Sequence, residues 1–126
     1  MKTRKILLIG LPLAAVFVSG CYYDSAEYLY PSGPCNPAGS SYSATVSLIL
    51  AANCNACHSS SAGASSGGGV VLDTYNSVKP YSTNGKLLGS INHASGFSAM
   101  PKNAAKLSSC DIARITNWVN SGALNN

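Results

Sequence analysis

Two thiols and an imidazole stand together at Cys54, Cys57 and His58, and their types and spacing suggest chemistry. A separation of three positions is about one helical turn, so the two thiols can face the same side of the chain. In this order the side chains are typical of covalent haem attachment, where each thiol adds to a vinyl group and the adjoining imidazole binds the iron. The motif therefore predicts one haem c bound through these three residues.

Two other interpretations of the Cys-x-x-Cys spacing are weaker. A thiol redox pair belongs in a βαβ setting, and no alternating strand pattern of useful length occurs in the sequence. A structural zinc site needs four ligands, usually from two such pairs, and Cys35, His93 and Cys110 are poorly spaced to complete one. The glycine-rich stretch at 59–69 lacks the Lys-Ser/Thr ending of a phosphate-binding loop, which argues against a nucleotide site.

A second axial ligand is predicted at Met100, the only methionine after Met1. A lone methionine often fills a core, but this one lies in a Gly- and Ser-rich loop and is followed by Pro101, which restrains the chain. His93 is the alternative ligand, unless it is a histidine of a surface loop, and an open sixth position is the third possibility. A thioether opposite the imidazole would raise the reduction potential. It would also fill the coordination sphere of the iron, so that substrates bind poorly and outer-sphere electron transfer is the remaining function.

The N-terminus has the pattern of an export signal. A basic start is followed by an apolar run over 6–18, small residues and Cys21, which predicts a signal peptide at 1–20. The sequence Val18-Ser19-Gly20-Cys21 resembles the lipobox of bacterial lipoproteins, which implies a lipid on Cys21; an ordinary signal peptide ending near a cysteine is the alternative. The protein is therefore expected on the periplasmic side of a bacterial membrane. In some bacteria an acidic residue after the lipidated cysteine marks retention in the inner membrane. Tyr22 stands at that position, which slightly favours the outer membrane.

The remaining charges and cysteines narrow the function further. Without residues 1–20 the chain keeps only a small excess of basic over acidic side chains, so no basic patch for nucleic acid is expected. Cys35 and Cys110 are an even pair in an oxidising compartment, which favours a disulfide between them over two free thiols.

The chain after the signal divides into a lipidated, Pro- and Tyr-rich tether at 21–42 and a domain at 43–126. Apolar spacing predicts a first helix that Ser43 caps and that ends near Asn53. Asp73 or Thr74 caps a short helix that Pro80 stops, and 86–91 is a short segment of less certain type. Ser108 begins a last amphipathic helix that Gly122 ends. The fold class is mainly α, with residues 59–69 a flexible loop.

Over residues 43–126 the chain resembles class I c-type cytochromes, and more narrowly the small mono-haem lipoprotein cytochromes of bacteria. The likeness rests on the run from Asn53 to His58, on Met100-Pro101, on the stretch 107–111 and on the helix around Trp118. It implies a cytochrome c-like fold of about three to five short helices wrapped around one covalently bound haem. Many members have a proline soon after the haem histidine, and its carbonyl orients the imidazole. A Ser- and Gly-rich stretch follows His58 instead, so the partner of its second nitrogen stays open.

The resemblance implies one-electron transfer with redox protein partners, rather than catalysis on a small-molecule substrate. Two alternatives stay open: a haem enzyme or sensor with an open or displaceable distal site, and a haem subunit of a larger respiratory complex. Trp118 is expected to fill the core rather than contact the haem. Apolar side chains are expected to line the haem at Val70, Leu72, Leu87, Leu88, Ile91, Phe97 and Leu107.

Overall fold

The computed structural model of this chain describes residues 35–126. The predicted signal peptide, the lipid site at Cys21 and the first part of the tether lie outside the described residues. Across the described part, the regular structure is helical and contains no strand, which confirms the expected mainly α class. Among these residues no helix has the length and apolar character needed to cross a membrane.

Five α-helices follow one another along the described chain. A π-helical turn, Tyr42–Val46, leads directly into α1, and the helices are α1 (Ser47–Asn53), α2 (Asn55–His58), α3 (Tyr75–Thr83), α4 (Lys86–Ile91) and α5 (Ser109–Asn120). Only Cys54 separates α1 from α2, so the first helical stretch carries the chain straight into the Cys-x-x-Cys-His motif.

The first helical stretch begins earlier than the sequence predicted. Ser41, not Ser43, is the N-cap, and its hydroxyl accepts a hydrogen bond from the N–H of Ala44 at 3.2 Å. The N–H of Ser43 instead donates to the carbonyl of Asn126 at 2.8 Å. The first turn is a wide π-helical one, which a search for a 3.6-residue period places two residues too late.

The folded domain also begins before the predicted boundary at residue 43. Tyr42 is buried, and its ring centroid lies 5.2 Å from that of Tyr75 and 5.7 Å from that of Trp118. Cys35 forms a disulfide with Cys110, with a Cα–Cα distance of 5.6 Å. The prolines at 31–37 excluded a helix there, but they do not prevent the residues that follow from packing on the core.

Helix α3 continues past the proline that was expected to stop it. Thr74 is the N-cap in a capping box with Ser77, and Pro80 lies inside the helix, which ends at Thr83. Pro80 lacks one N–H donor, yet its own carbonyl accepts from the N–H of Asn84 at 3.0 Å. Pro80 is the sixth residue of this nine-residue helix, where its missing N–H removes one hydrogen bond and leaves the following turn intact.

The last helix matches its prediction closely. The hydroxyl of Ser108 accepts from the N–H of Asp111 at 3.0 Å, and Gly122 follows the helix end with a φ of 99°. Trp118 is 1% exposed and fills the core, and its indole N–H donates to the carbonyl of Leu124 at 2.8 Å. Helix α5 thus packs against the first helical turn and against α4.

Candidate cofactor cavity

A cavity of about 890 Å³ opens beside α2 and α4, and the residues that the sequence singled out meet on its walls. Cys54, Cys57, His58 and Met100 all line it, although Met100 lies 42 positions after His58. The volume is within the range of sites that hold small molecules and cofactors. The tertiary structure therefore brings two thiols, an imidazole and a thioether to one space.

Most of the expected apolar lining is present. Val70, Leu72, Leu87, Ile91 and Phe97 line the cavity. The other two expected residues do not: Leu107 is buried in the core, and Leu88 packs against the core from a partly buried position. Leu87 and Ile91 are four residues apart and share a face of α4, whereas Leu88 is turned about 100° away from Leu87, which explains its different surroundings.

The two thiols of the motif differ in their surroundings. Cys54 joins α1 to α2, and its N–H donates to the carbonyl of Leu50 at 2.8 Å. Its side chain is partly buried, and this burial raises the pKa of the Cys54 thiol to about 11. Cys57 is exposed, and neither cysteine is in a disulfide. Both sulfurs are thus chemically free at the cavity wall.

The imidazole of His58 is fixed by the chain that follows it. Its Nδ1 lies 3.1 Å from the carbonyl oxygen of Val70. Because a carbonyl can only accept, the proton is on Nδ1, and Nε2 keeps its lone pair for a metal. A carbonyl that holds the second nitrogen of a ligating histidine also sets its orientation and basicity. The sequence left this partner open, because nothing in the spacing distinguished Val70 from its neighbours.

The glycine-rich segment forms consecutive hydrogen-bonded turns, where the sequence predicted a flexible loop. The N–H groups of Gly67 and Gly69 donate to the carbonyl of Gly63 at 3.1 and 2.8 Å. Gly67 is buried, and a Cβ there would lie 2.5 Å from the carbonyl oxygen of Cys57 and 2.8 Å from Nδ1 of His58. The small size of this glycine therefore lets the segment close onto the His58 ring.

A carboxylate fastens the two ends of this segment. One carboxylate oxygen of Asp73 accepts hydrogen bonds from the N–H and from the hydroxyl of Ser60, both at 2.6 Å. These hydrogen bonds, the one from the hydroxyl first, lower the pKa of Asp73. Beside them, the N–H of Leu72 donates to the carbonyl of His58 at 2.7 Å. The segment is thus tied to the motif at its start and at its end.

Met100 is held at the cavity through its backbone. Its N–H donates to the carbonyl of Ser90 at 3.1 Å, and its carbonyl accepts from Nε2 of His93 at 2.9 Å. His93 itself is exposed and is not among the residues that line the cavity. Of the two candidates for a distal ligand, the structure therefore places Met100, and not His93, at the cavity wall.

Charge at the cavity is of one sign. Lys86 and Lys102 line it, and no aspartate or glutamate of the described residues does. Lys86 starts α4 and Lys102 follows the Met100 loop, so the two ammonium groups come from different segments. A cavity of this composition suits a large apolar ligand that also carries negative groups.

The donor set fits a haem. Two thiols could form the covalent attachments, while His58 and Met100 could supply an imidazole and a thioether to the iron. Within the described residues, no three His, Cys, Asp or Glu side chains form a group that could hold a metal ion. A porphyrin needs no such group, because it supplies the equatorial ligands of its own iron.

Comparisons of the chain with protein-family models, with curated proteins and with solved structures found no match.

Proposed function

We propose that this protein is a mono-haem c-type cytochrome that transfers single electrons between redox proteins. The observation that carries the proposal is the meeting of Cys54, Cys57, His58 and Met100 on one cavity. Cys54 and Cys57 hold the haem through thioether bonds, His58 is the proximal ligand and Met100 the distal ligand. When bound, the haem supplies an iron that alternates between the ferrous and ferric states.

The proposed fold is a cytochrome c-like one around this single haem. Its support is the helical class, the packing of the first helical stretch on α5 through Tyr42 and Trp118, and the position of the Cys-x-x-Cys-His motif after α1. In this arrangement α1 and α2 present the thiols, α4 lines the opposite wall and the loop before Pro101 presents the thioether. The core residue Trp118 stabilises the helices that carry the site.

The residues around the cavity favour electron transfer over catalysis. The Val70 carbonyl keeps His58 in the tautomer that leaves Nε2 for the iron, and Met100 would supply a second ligand from the same cavity, so that no iron site would stay open for a substrate. The apolar lining excludes water and lowers the local dielectric, and together with the thioether ligand it favours the ferrous state. The residues thus orient and shield the group while its redox partners stay outside.

The partners and location follow from the edge of the cavity and from the N-terminus. Lys86 and Lys102, with the 42% exposed Phe97 beside them, offer a cationic and apolar surface for an acidic redox protein. We propose export, with a lipid on Cys21 that anchors the protein to the periplasmic side of a bacterial membrane, with the outer membrane slightly favoured. The Cys35–Cys110 disulfide suits such an oxidising compartment.

The test is the visible spectrum of protein matured in a host that attaches haem. The parent is expected to be coloured and low-spin, with both motif thiols protected from alkylation. Its ferric form should show the weak far-red band of sulfur bound to iron, and Met100→Ala should lose that band. Ala99→Ser, at the adjoining exposed position, is the matched control and should keep it.

Two results would overturn the proposal. Colourless protein whose Cys54 and Cys57 both react with iodoacetamide in denaturant would exclude haem attachment. Coloured protein with high-spin iron that readily binds carbon monoxide or peroxide would exclude the electron carrier and indicate a haem enzyme or sensor.

A further inference from the structure

His93 has a backbone conformation that a histidine adopts at a cost. Its φ is +53°, in the left-handed region that residues other than glycine occupy uncommonly, histidine more often than most of them. Such strain persists only where the surroundings enforce it. His93 lies just after α4, whose last residue is Ile91, at the point where the chain turns toward Met100.

The strained turn directs the His93 ring onto the chain around Met100. Nε2 lies 2.9 Å from the Met100 carbonyl oxygen, and because this oxygen only accepts, Nε2 is the donor. The Ser90 carbonyl accepts from the N–H of His93 and from the N–H of Met100, each at 3.1 Å. Both peptide groups of Met100 are therefore bound to the end of α4, one through Ser90 and one through the His93 ring.

Burial accounts for only part of the position of this loop. Residues 92–99 are all exposed, although the Phe97 ring lies against Gly89 of α4, and Met100 is the first partly buried residue after Ile91. A segment with so little buried apolar surface depends strongly on hydrogen bonds and opens more easily than the core. The hydrogen bond from His93 therefore helps to hold Met100 at the cavity.

We propose that His93 is a positioning residue, which holds Met100 as the distal ligand and resists its displacement by external ligands. This inference rests on the proposed function, because it assumes that Met100 binds the iron. His93 acts only through the Met100 carbonyl, since its ring is not part of the cavity lining. Release of this hydrogen bond favours the loop-open form, in which a small ligand competes with the thioether for the iron.

The experiment measures how tightly imidazole binds to the ferric haem protein in three forms. His93→Ala removes the ring and its hydrogen bond but keeps the backbone strain, because alanine, like histidine, carries a Cβ at a positive φ. His93→Gln also keeps the strain, and it places an amide N–H donor the same number of bonds from Cα as Nε2 of histidine. The two variants therefore differ in the hydrogen-bond donor and not in the backbone conformation.

Imidazole should bind about fivefold more tightly to His93→Ala than to the parent, as expected for the loss of one hydrogen bond. His93→Gln should stay within about twofold of the parent. Urea unfolding is measured alongside, because a merely structural role would change stability without changing imidazole affinity. If His93→Ala binds imidazole like the parent, or if His93→Gln binds it as tightly as His93→Ala, the inference is wrong.

The same spectra separate this inference from the proposed function. A parent without the far-red sulfur-to-iron band would overturn ligation by Met100, and with it both proposals. A parent that has the band, with equal imidazole affinity in all three forms, would overturn only the role of His93. Loss of low-spin iron in His93→Ala but not in Met100→Ala would identify His93 as the ligand itself and would also overturn its positioning role.

Discussion

Gly67→Ala should destabilise the domain through the ring of His58. The added Cβ would lie 2.5 Å from the carbonyl oxygen of Cys57, 2.8 Å from Nδ1 of His58 and 2.9 Å from the carbonyl oxygen of Val70. Two of these atoms are backbone, so the clash cannot be relieved by rotation of a side chain. The carbonyl of Cys57 alone must withdraw by about 0.9 Å to reach an ordinary contact of 3.4 Å.

The magnitude follows from two costs. Overpacking of one methyl group into a close-packed site costs about 1–3 kcal/mol. The Cβ also lies against both partners of the 3.1 Å hydrogen bond between Nδ1 and the Val70 carbonyl, and pushing them apart loses about 1 kcal/mol more. We therefore expect Gly67→Ala to lower the free energy of unfolding by about 2–4 kcal/mol.

Gly68→Ala is the matched control, because it adds the same methyl group one position later. Gly68 has a φ of +60° and no atom within 4 Å of its ideal Cβ, so this variant carries only the cost of a left-handed alanine, about 1 kcal/mol. The assay is urea unfolding of the haem protein, with an unchanged m-value as the check on two-state behaviour. The reduction potential should rise in Gly67→Ala, because His58 loses the acceptor that strengthens it as a ligand. A Gly67→Ala protein as stable as Gly68→Ala would refute the steric reasoning.

Three further outcomes are expected. Asp73→Asn should lower the urea midpoint at neutral pH. Because hydrogen bonds lower the pKa of Asp73 in the folded state, the extra stability of the parent is present above the ordinary pKa of about 3.9 and is lost as the pH falls through the lower folded value. A difference in urea midpoint that is undiminished at about pH 2 would contradict this assignment. In haem-free protein at about pH 8, iodoacetamide should modify the exposed Cys57 well before Cys54, whose pKa of about 11 leaves roughly one thiol in a thousand ionised; equal native rates that match those in denaturant argue against this burial. In the double variant Cys35→Ser and Cys110→Ser, the free energy of unfolding should fall by about 2–4 kcal/mol, because the disulfide joins residues 75 positions apart. An unchanged urea midpoint would exclude a stabilising crosslink.

The structure differs from the sequence-based prediction at residues whose position depends on contacts with distant parts of the chain. Pro80 is a local breaker, yet α3 passes through it because the loss of one hydrogen bond is small beside the packing of Val78 and its neighbours. The prolines before Tyr42 indicated a tether, but the Tyr42 ring is buried between Tyr75 and Trp118. Neither contact has a signal in the local pattern, because the partners lie far away along the chain.

The order Cys54, Cys57, His58 is different, since its chemistry is contained in five consecutive residues and a single turn brings them together. The last helix was equally readable, because its cap, its apolar stripe and its terminating glycine are all local. Only the folded chain decided which carbonyl holds the second nitrogen of His58, and that His93 contacts Met100 rather than the cavity. Those contacts join residues that are 12 and seven positions apart. The path of the loop between them is set by what the loop packs on rather than by its own sequence period.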